Sequence, residues 1–99
     1  MRRPLIAEDS QTQRMEGAKL IISRANTIAI EKGAEIDDYI WNPKQGIDNR
    51  ENHTLELKLK NGRIVKATFS REELEDYPGR VGTEKTDSKL RRMIDELKK

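Results

Sequence analysis

The stretch Thr54-Leu-Glu-Leu-Lys-Leu-Lys-Asn-Gly-Arg-Ile-Val-Lys-Ala-Thr-Phe69 constrains the fold of this chain more than any other. Apolar and polar residues alternate along its first arm and Asn61-Gly62 marks a turn, so it reads as a β-hairpin. Two registers compete. A two-residue turn at Asn61-Gly62 pairs Leu57 with Lys66, which leaves Leu55, Leu57 and Leu59 on one face and Val65, Ala67 and Phe69 on the other. A one-residue slip turns a whole strand over, so that register cannot build a core. A three-residue loop, Lys60-Asn61-Gly62, with Gly62 left-handed in a G1 bulge, pairs Leu57 with Val65 and Leu55 with Ala67. All six apolar residues then share one face, and the other face gains Glu56–Lys66 and Thr54–Thr68 pairs. The bulged register is the expected one.

Upstream, Met15, Ala18, Ile22, Ala25 and Ala29 recur at spacings of three and four, with Ile21 and Ile28 widening the stripe. This predicts a helix over about 10–32, opened by a Ser10-x-x-Gln13 capping box and stopped by Gly33. Gly17 costs that helix a little stability, and Ile30 falls off the stripe. Residues 1–8 are expected to form a flexible arm, and 9–98 a single α+β domain. Residues 35–41, Glu-Ile-Asp-Asp-Tyr-Ile-Trp, read as a short strand, placed at an edge by the paired aspartates and by Pro43. The polar loop that follows, to His53, is long enough to be either functional or mobile. Ser70-Arg-Glu-Glu73 is a second capping box before a short helix that Pro78-Gly79 ends. Leu90, Met93, Ile94 and Leu97 then mark a closing helix at 87–98.

Together these elements predict a two-layer α+β sandwich. A small antiparallel sheet, hairpin 53–69 plus edge strand 35–41, packs against an N-terminal and a C-terminal helix. The α-β-β-β-α order is that of a double-stranded-RNA-binding domain. The basic cluster such domains carry at the start of the last helix is absent, however, and Thr86-Asp87-Ser88 stand there instead. Topology by itself does not confer function.

With 38% charged and 33% apolar residues, the core must be small, and the net charge of +2 is not the lopsided balance of a dedicated nucleic-acid binder. No apolar run approaches a membrane span, so no membrane association is expected. The start of the chain lacks the apolar stretch of a secretory signal. The chain has no cysteine, which excludes disulfides, thiolate metal sites and a Cys nucleophile, and a cytoplasmic setting is the default.

No motif carries recognisable chemistry. Gly79-Arg-Val-Gly-Thr-Glu-Lys-Thr86 approaches a phosphate-binding loop, but Glu84 stands where the second glycine would let backbone amides meet phosphate. Weak anion binding by Arg80 and Lys85 is what remains of that signal. Asp48-Asn-Arg-Glu-Asn52 lacks the glycine and the glutamate of a calcium loop. Asp37 and Asp38 point to opposite strand faces, and the acidic run 72–76 suits the first turns of a helix. His53, the only histidine, has no serine or acid placed by sequence to work with it, and it sits opposite Phe69 in the bulged register. No catalytic residue, metal or cofactor is expected.

Two features could bind a partner. Tyr39 and Trp41 share a face of the edge strand, and such residues are enriched at interface hot spots. The competing account is that they close a small core. Lys58, Lys60, Arg63 and Lys66 form a basic hairpin face that, with Arg80 and Lys85 nearby, could track phosphates, duplex RNA included. The competing account there is a solvated face whose lysines discourage sheet-to-sheet pairing. The leading expectation is a non-catalytic protein-binding or self-associating module, and the second is nucleic-acid binding.

Overall fold

The hairpin adopts the bulged register. In the computed structural model, which describes residues 6–43, 45–48, 50–80 and 83–98, Leu57 pairs with Val65, Leu55 with Ala67, Glu56 with Lys66 and Thr54 with Thr68. Gly62 is left-handed at φ 90°, where a side chain would be strained, and its N–H donates to the Leu59 carbonyl at 2.9 Å. The two arms are β2 (Asn52–Leu59) and β3 (Ile64–Ser70). The expected edge strand forms as β1 (Ile36–Trp41), antiparallel to β2, and the sheet order is β1-β2-β3.

In β1 the register shifts between Ile36 and Asp38. Ile36 pairs with Leu59, whereas Asp38 pairs with Lys58, Tyr39 with Leu57 and Trp41 with Leu55. The extra residue puts Ile36 on the same side as Tyr39 and Trp41, although strict alternation would oppose them. Ile36 thereby packs against the core.

Helix α1 (Ile6–Glu31) begins a turn before the expected cap, so Ser10 lies inside it, and Ile6, Ala7 and Glu8 belong to the helix and not to an arm. Ala7 and Glu8 are strong helix formers, and nothing between Ile6 and Asp9 breaks the helix. The expected arm residues 1–5 lie outside the described residues. At the other end Gly33 (φ 75°) closes a Schellman motif, with Ala34 N–H donating to the Ala29 carbonyl at 2.7 Å and Gly33 N–H to Ile30 at 3.0 Å. Ala18, Ile21, Ile22, Ala25, Ile28 and Ala29 are buried as the stripe predicts, and Ile30 is exposed. Met15 departs from the stripe and is exposed, while Arg14 is buried in its place.

The short helix α2 (Arg71–Asp76) carries the full capping box. Ser70 Oγ accepts from Glu73 N–H at 3.0 Å, and Ser70 N–H donates to Glu73 Oε1 at 2.7 Å. A single 3₁₀ turn, Tyr77–Gly79, follows. The closing helix α3 (Thr83–Lys98) starts four residues ahead of the expected 87 and buries Leu90, Met93 and Ile94. The side chain of Leu97 lies outside the described residues.

The fold is therefore the expected α+β sandwich, with the apolar hairpin face beneath α1 and α3. Leu55, Leu57, Leu59 and Phe69 are buried at its centre, and Phe69 meets Trp41 edge-on with ring centroids 5.7 Å apart. Lys89 of α3 closes one flank, with Nζ 4.5 Å over the Phe69 ring, 2.7 Å from the Thr68 carbonyl and paired with Glu73 at 3.1 Å. Burial of Ile21 and Ile28 is worth about 2 kcal/mol each, against about 0–1 kcal/mol for an exposed ion pair such as Arg91–Glu31. Apolar burial, and not the surface charge pairs, holds α1 on the sheet.

Gly17 accounts for the way α2 sits. A Cβ at this position would lie 2.7 Å from the Leu74 carbonyl carbon, so the backbones of α1 and α2 touch and leave no room for a methyl group. Gly17→Ala should therefore destabilise the fold by about 1–3 kcal/mol in urea denaturation, despite the better helix propensity of alanine.

Candidate functional site

Strand β1 is an edge, and α1 does not cover it fully. Between the two runs a groove of about 160 Å³, lined on the helix by Met15, Ala18, Lys19 and Ile22, on the strand by Tyr39 and Trp41, and at one end by Ile47. Spacings of three and four put the four lining residues on one face of two turns of α1, while the bulge at Asp37 turns Tyr39 and Trp41 toward the helix. Tyr39 is 48% exposed and Met15 46%, whereas Trp41 is 8% exposed. Trp41 is thus mainly a core residue that offers one edge to the groove, and Tyr39 and Met15 carry its accessible surface.

The backbone edge beside the groove is blocked. The Tyr39 N–H donates to Asp38 Oδ1 at 2.8 Å, and the bulge interrupts the strand two residues earlier. Both devices oppose addition of another strand.

Ile47 reaches the groove because side-chain hydrogen bonds brace the 42–51 loop beyond its backbone turn, in which Gln45 N–H donates to the Asn42 carbonyl at 2.9 Å and Gly46 N–H to Trp41 at 3.2 Å. Three successive loop carbonyls each receive a donor: Gly46 from Asn42 Nδ2 at 2.7 Å, Ile47 from Gln11 Nε2 at 3.1 Å, and Asp48 from Arg14 Nε at 2.9 Å. Arg14 is 4% exposed and also binds Glu75 Oε2 at 2.7 Å and Gln11 Oε1 at 2.6 Å, which ties α1, α2 and the loop together. Arg50 grips Asp48 through Nε at 2.8 Å, Nη2 at 2.8 Å and its own backbone N–H at 3.0 Å, holding the Asp48 carboxyl well below the usual carboxylate range.

Asn42 is the centre of this arrangement. It is 2% exposed and left-handed at φ 50°, a conformation asparagine tolerates. Its Oδ1 accepts from Thr54 N–H at 2.9 Å, so its Nδ2 faces both the Gly46 carbonyl and His53 Nδ1, the latter at 2.9 Å. Nδ1 must then be the acceptor, and the ring proton sits on Nε2. His53 has no accessible surface, and among the described residues no acceptor meets hydrogen-bond geometry at Nε2. Burial pushes its pKa down, the Asp48 charge and the Arg50 backbone push it up, and the Arg50 and Arg14 charges push it down again. The net direction is downward, so the ring is held neutral.

The basic residues singled out in the sequence do not come together. Lys58 and Lys66 project from the outer sheet face, and Lys60 and Arg63 flank the hairpin tip. Lys66 lies 3.8 Å from Glu56 and Lys60 3.7 Å from Glu35. Arg80 instead lines a wider polar groove of about 470 Å³ with Ser23, Arg24, Thr27 and Tyr77, on the helical layer. Charge there is mixed, since Asp87 pairs with Arg24 at 3.3 Å and accepts from the Tyr77 hydroxyl at 2.8 Å. Burial, with Asp87 beside it, pushes the Tyr77 hydroxyl up to about 12. Lys85 is exposed on the first turns of α3. The hairpin cations and the Arg80 groove thus occupy opposite layers.

Among the described residues, no cluster of His, Asp and Glu is placed to hold a metal ion, and no helix is long and apolar enough to cross a membrane. No known protein family, curated protein or solved structure matches the chain.

Asn42→Ala should strand the Thr54 amide, the Gly46 carbonyl and His53 Nδ1, at a cost of about 3 kcal/mol in urea denaturation. A second expectation concerns acid. A histidine whose folded pKa is depressed contributes its full stability above the unfolded value of about 6.5. That contribution is lost as pH falls from there toward the folded value. Denaturation midpoints should therefore fall between about pH 6.5 and pH 5, and this dependence should be absent in His53→Phe.

Proposed function

We propose that the chain is a non-catalytic, cytoplasmic protein-binding module whose α1–β1 groove receives a bulky apolar side chain from a partner protein. The observation that carries this reading is the half-exposed pair Met15 and Tyr39 on either side of an apolar groove with a braced end. Methionine and tyrosine are residue types that binding surfaces favour. At about 160 Å³ the groove is smaller than the roughly 300–1,000 Å³ of typical small-molecule sites, so an anchoring side chain fits better than a metabolite. The blocked edge argues for side-chain insertion over strand addition. A nucleic-acid role through Lys58, Lys60, Arg63 and Lys66 draws less support, because two of these four already face carboxylates and Arg80 lies on the other layer.

Selection of displayed peptides on the full chain, followed by amide-resolved NMR titration, tests the reading. Selected peptides should carry one aromatic or aliphatic anchor and should shift Met15, Ile22, Tyr39 and Ile47. Met15→Glu should weaken them at least tenfold, about 1.4 kcal/mol, without loss of thermal stability. If dimerisation uses these same residues, the partner is a second copy of the chain. Peptides that bind elsewhere would overturn the assignment. So would oligonucleotide shifts confined to Lys58–Lys66 that fade with salt, which would put nucleic acid in its place.

A further inference from the structure

We propose that His53 is a proton-controlled latch on the 42–51 loop: a proton added to Nδ1 releases the loop and opens the end of the groove that Ile47 forms. The latch follows from hydrogen-bond geometry. In the neutral ring Nδ1 accepts from Asn42 Nδ2 at 2.9 Å, and the proton already sits on Nε2. The imidazolium carries N–H at both nitrogens, so its Nδ1 donor would face the Asn42 donor.

Turning the Asn42 amide over does not rescue the arrangement. Oδ1 would then face His53, but it would also face the Gly46 carbonyl, acceptor against acceptor, and Nδ2 would face the Thr54 N–H, donor against donor. One conflict becomes two. Unflipped, the repulsion pushes Nδ2 off the ring and strains its bond to the Gly46 carbonyl; flipped, that bond is lost outright, and Ile47 is the next residue. The sheet ladder and the helical core do not run through Asn42 Nδ2, so the change is confined to the loop end of the molecule.

The charges around the ring come from several elements. Arg14 on α1 and Arg50 in the loop disfavour the cation, and Asp48 in the loop favours it. Glu75 on α2 is held by Arg14 at 2.7 Å. Across the sheet the neighbour is Phe69, with Lys89 of α3 over its ring. Burial is the largest influence, and it sets the latch below the ordinary histidine range.

This inference rests on the protein-binding reading only for its consequence, loss of groove binding in acid. It is tested on the free chain, by NMR from about pH 7.5 to about pH 5. The His53 ring should titrate below about 6.5. The amides of Gly46 and Thr54 and the methyl groups of Ile47 should move with the same midpoint. Asn42→Asp supplies a carboxylate that accepts from the imidazolium, and it should raise the His53 midpoint by about one unit or more. The latch is overturned if the ring titrates while Gly46, Ile47 and Thr54 stay fixed. It is equally overturned if the loop moves only in the carboxylate range near about pH 4, or if Asn42→Asp leaves the midpoint where it was. The two readings fail separately: a chain that binds no anchored peptide at any pH loses the docking assignment and keeps the latch, and a loop that stays fixed does the reverse.

Discussion

One buried carboxamide determines whether this molecule has a formed end. The sheet and helices are held by apolar contact, which is non-directional and tolerates small adjustments. The loop between β1 and β2 has no such support, since Ile47 is the one aliphatic residue between Pro43 and His53. Beside a short backbone turn, its order draws on Asn42, which uses its oxygen on Thr54 and its nitrogen on Gly46 and His53. Buried polar networks of this kind are stable when every member is answered and costly when one is not. Arg14 and Gln11 extend the same logic from α1, so the longest helix serves both as the lid of the core and as a rack for the loop.

This division of labour separates what was legible in the sequence from what was not. The hairpin register could be read because only one loop length puts all six apolar residues on one face. The Gly33 stop and the Ser70–Glu73 cap could be read because their partners lie within a few residues. The bulge in β1 could not, because Ile36 joins the core only through an extra residue at Asp37 that a period of two does not show. Arg14 had a periodic signature, at positions 14, 18, 21, 25 and 28, but arginine is rarely buried and its charge masked the pattern.

The candidate groove was legible in part. Tyr39 was a visible candidate, and it lies where the edge strand meets the uncovered flank of α1. Trp41 shares that strand face and the same aromatic character, yet its ring is taken up chiefly by the core, against Phe69. Met15 reads in the sequence as part of the buried stripe, and Lys19 and Ile47 carry no signal, because the three become neighbours only when the helix lies beside β1 and the loop folds back. The polar centre drew on Gln11, Arg14, Asn42, His53 and Glu75, whose spacing follows no pattern before folding. Tertiary placement alone makes them one system.

The two outer strands end differently from the strand between them. β1 covers its own amide with Asp38 and kinks at Asp37, while β3 gives a carbonyl to the ammonium of Lys89. Each margin of the sheet thus has one backbone group answered by a charged side chain of the same chain. Each contact takes up a backbone group that an incoming strand would need for pairing, which disfavours edge-to-edge association of molecules at high concentration. During synthesis the hairpin exists before Lys89 has been added, so at that stage only the β1 margin carries its guard.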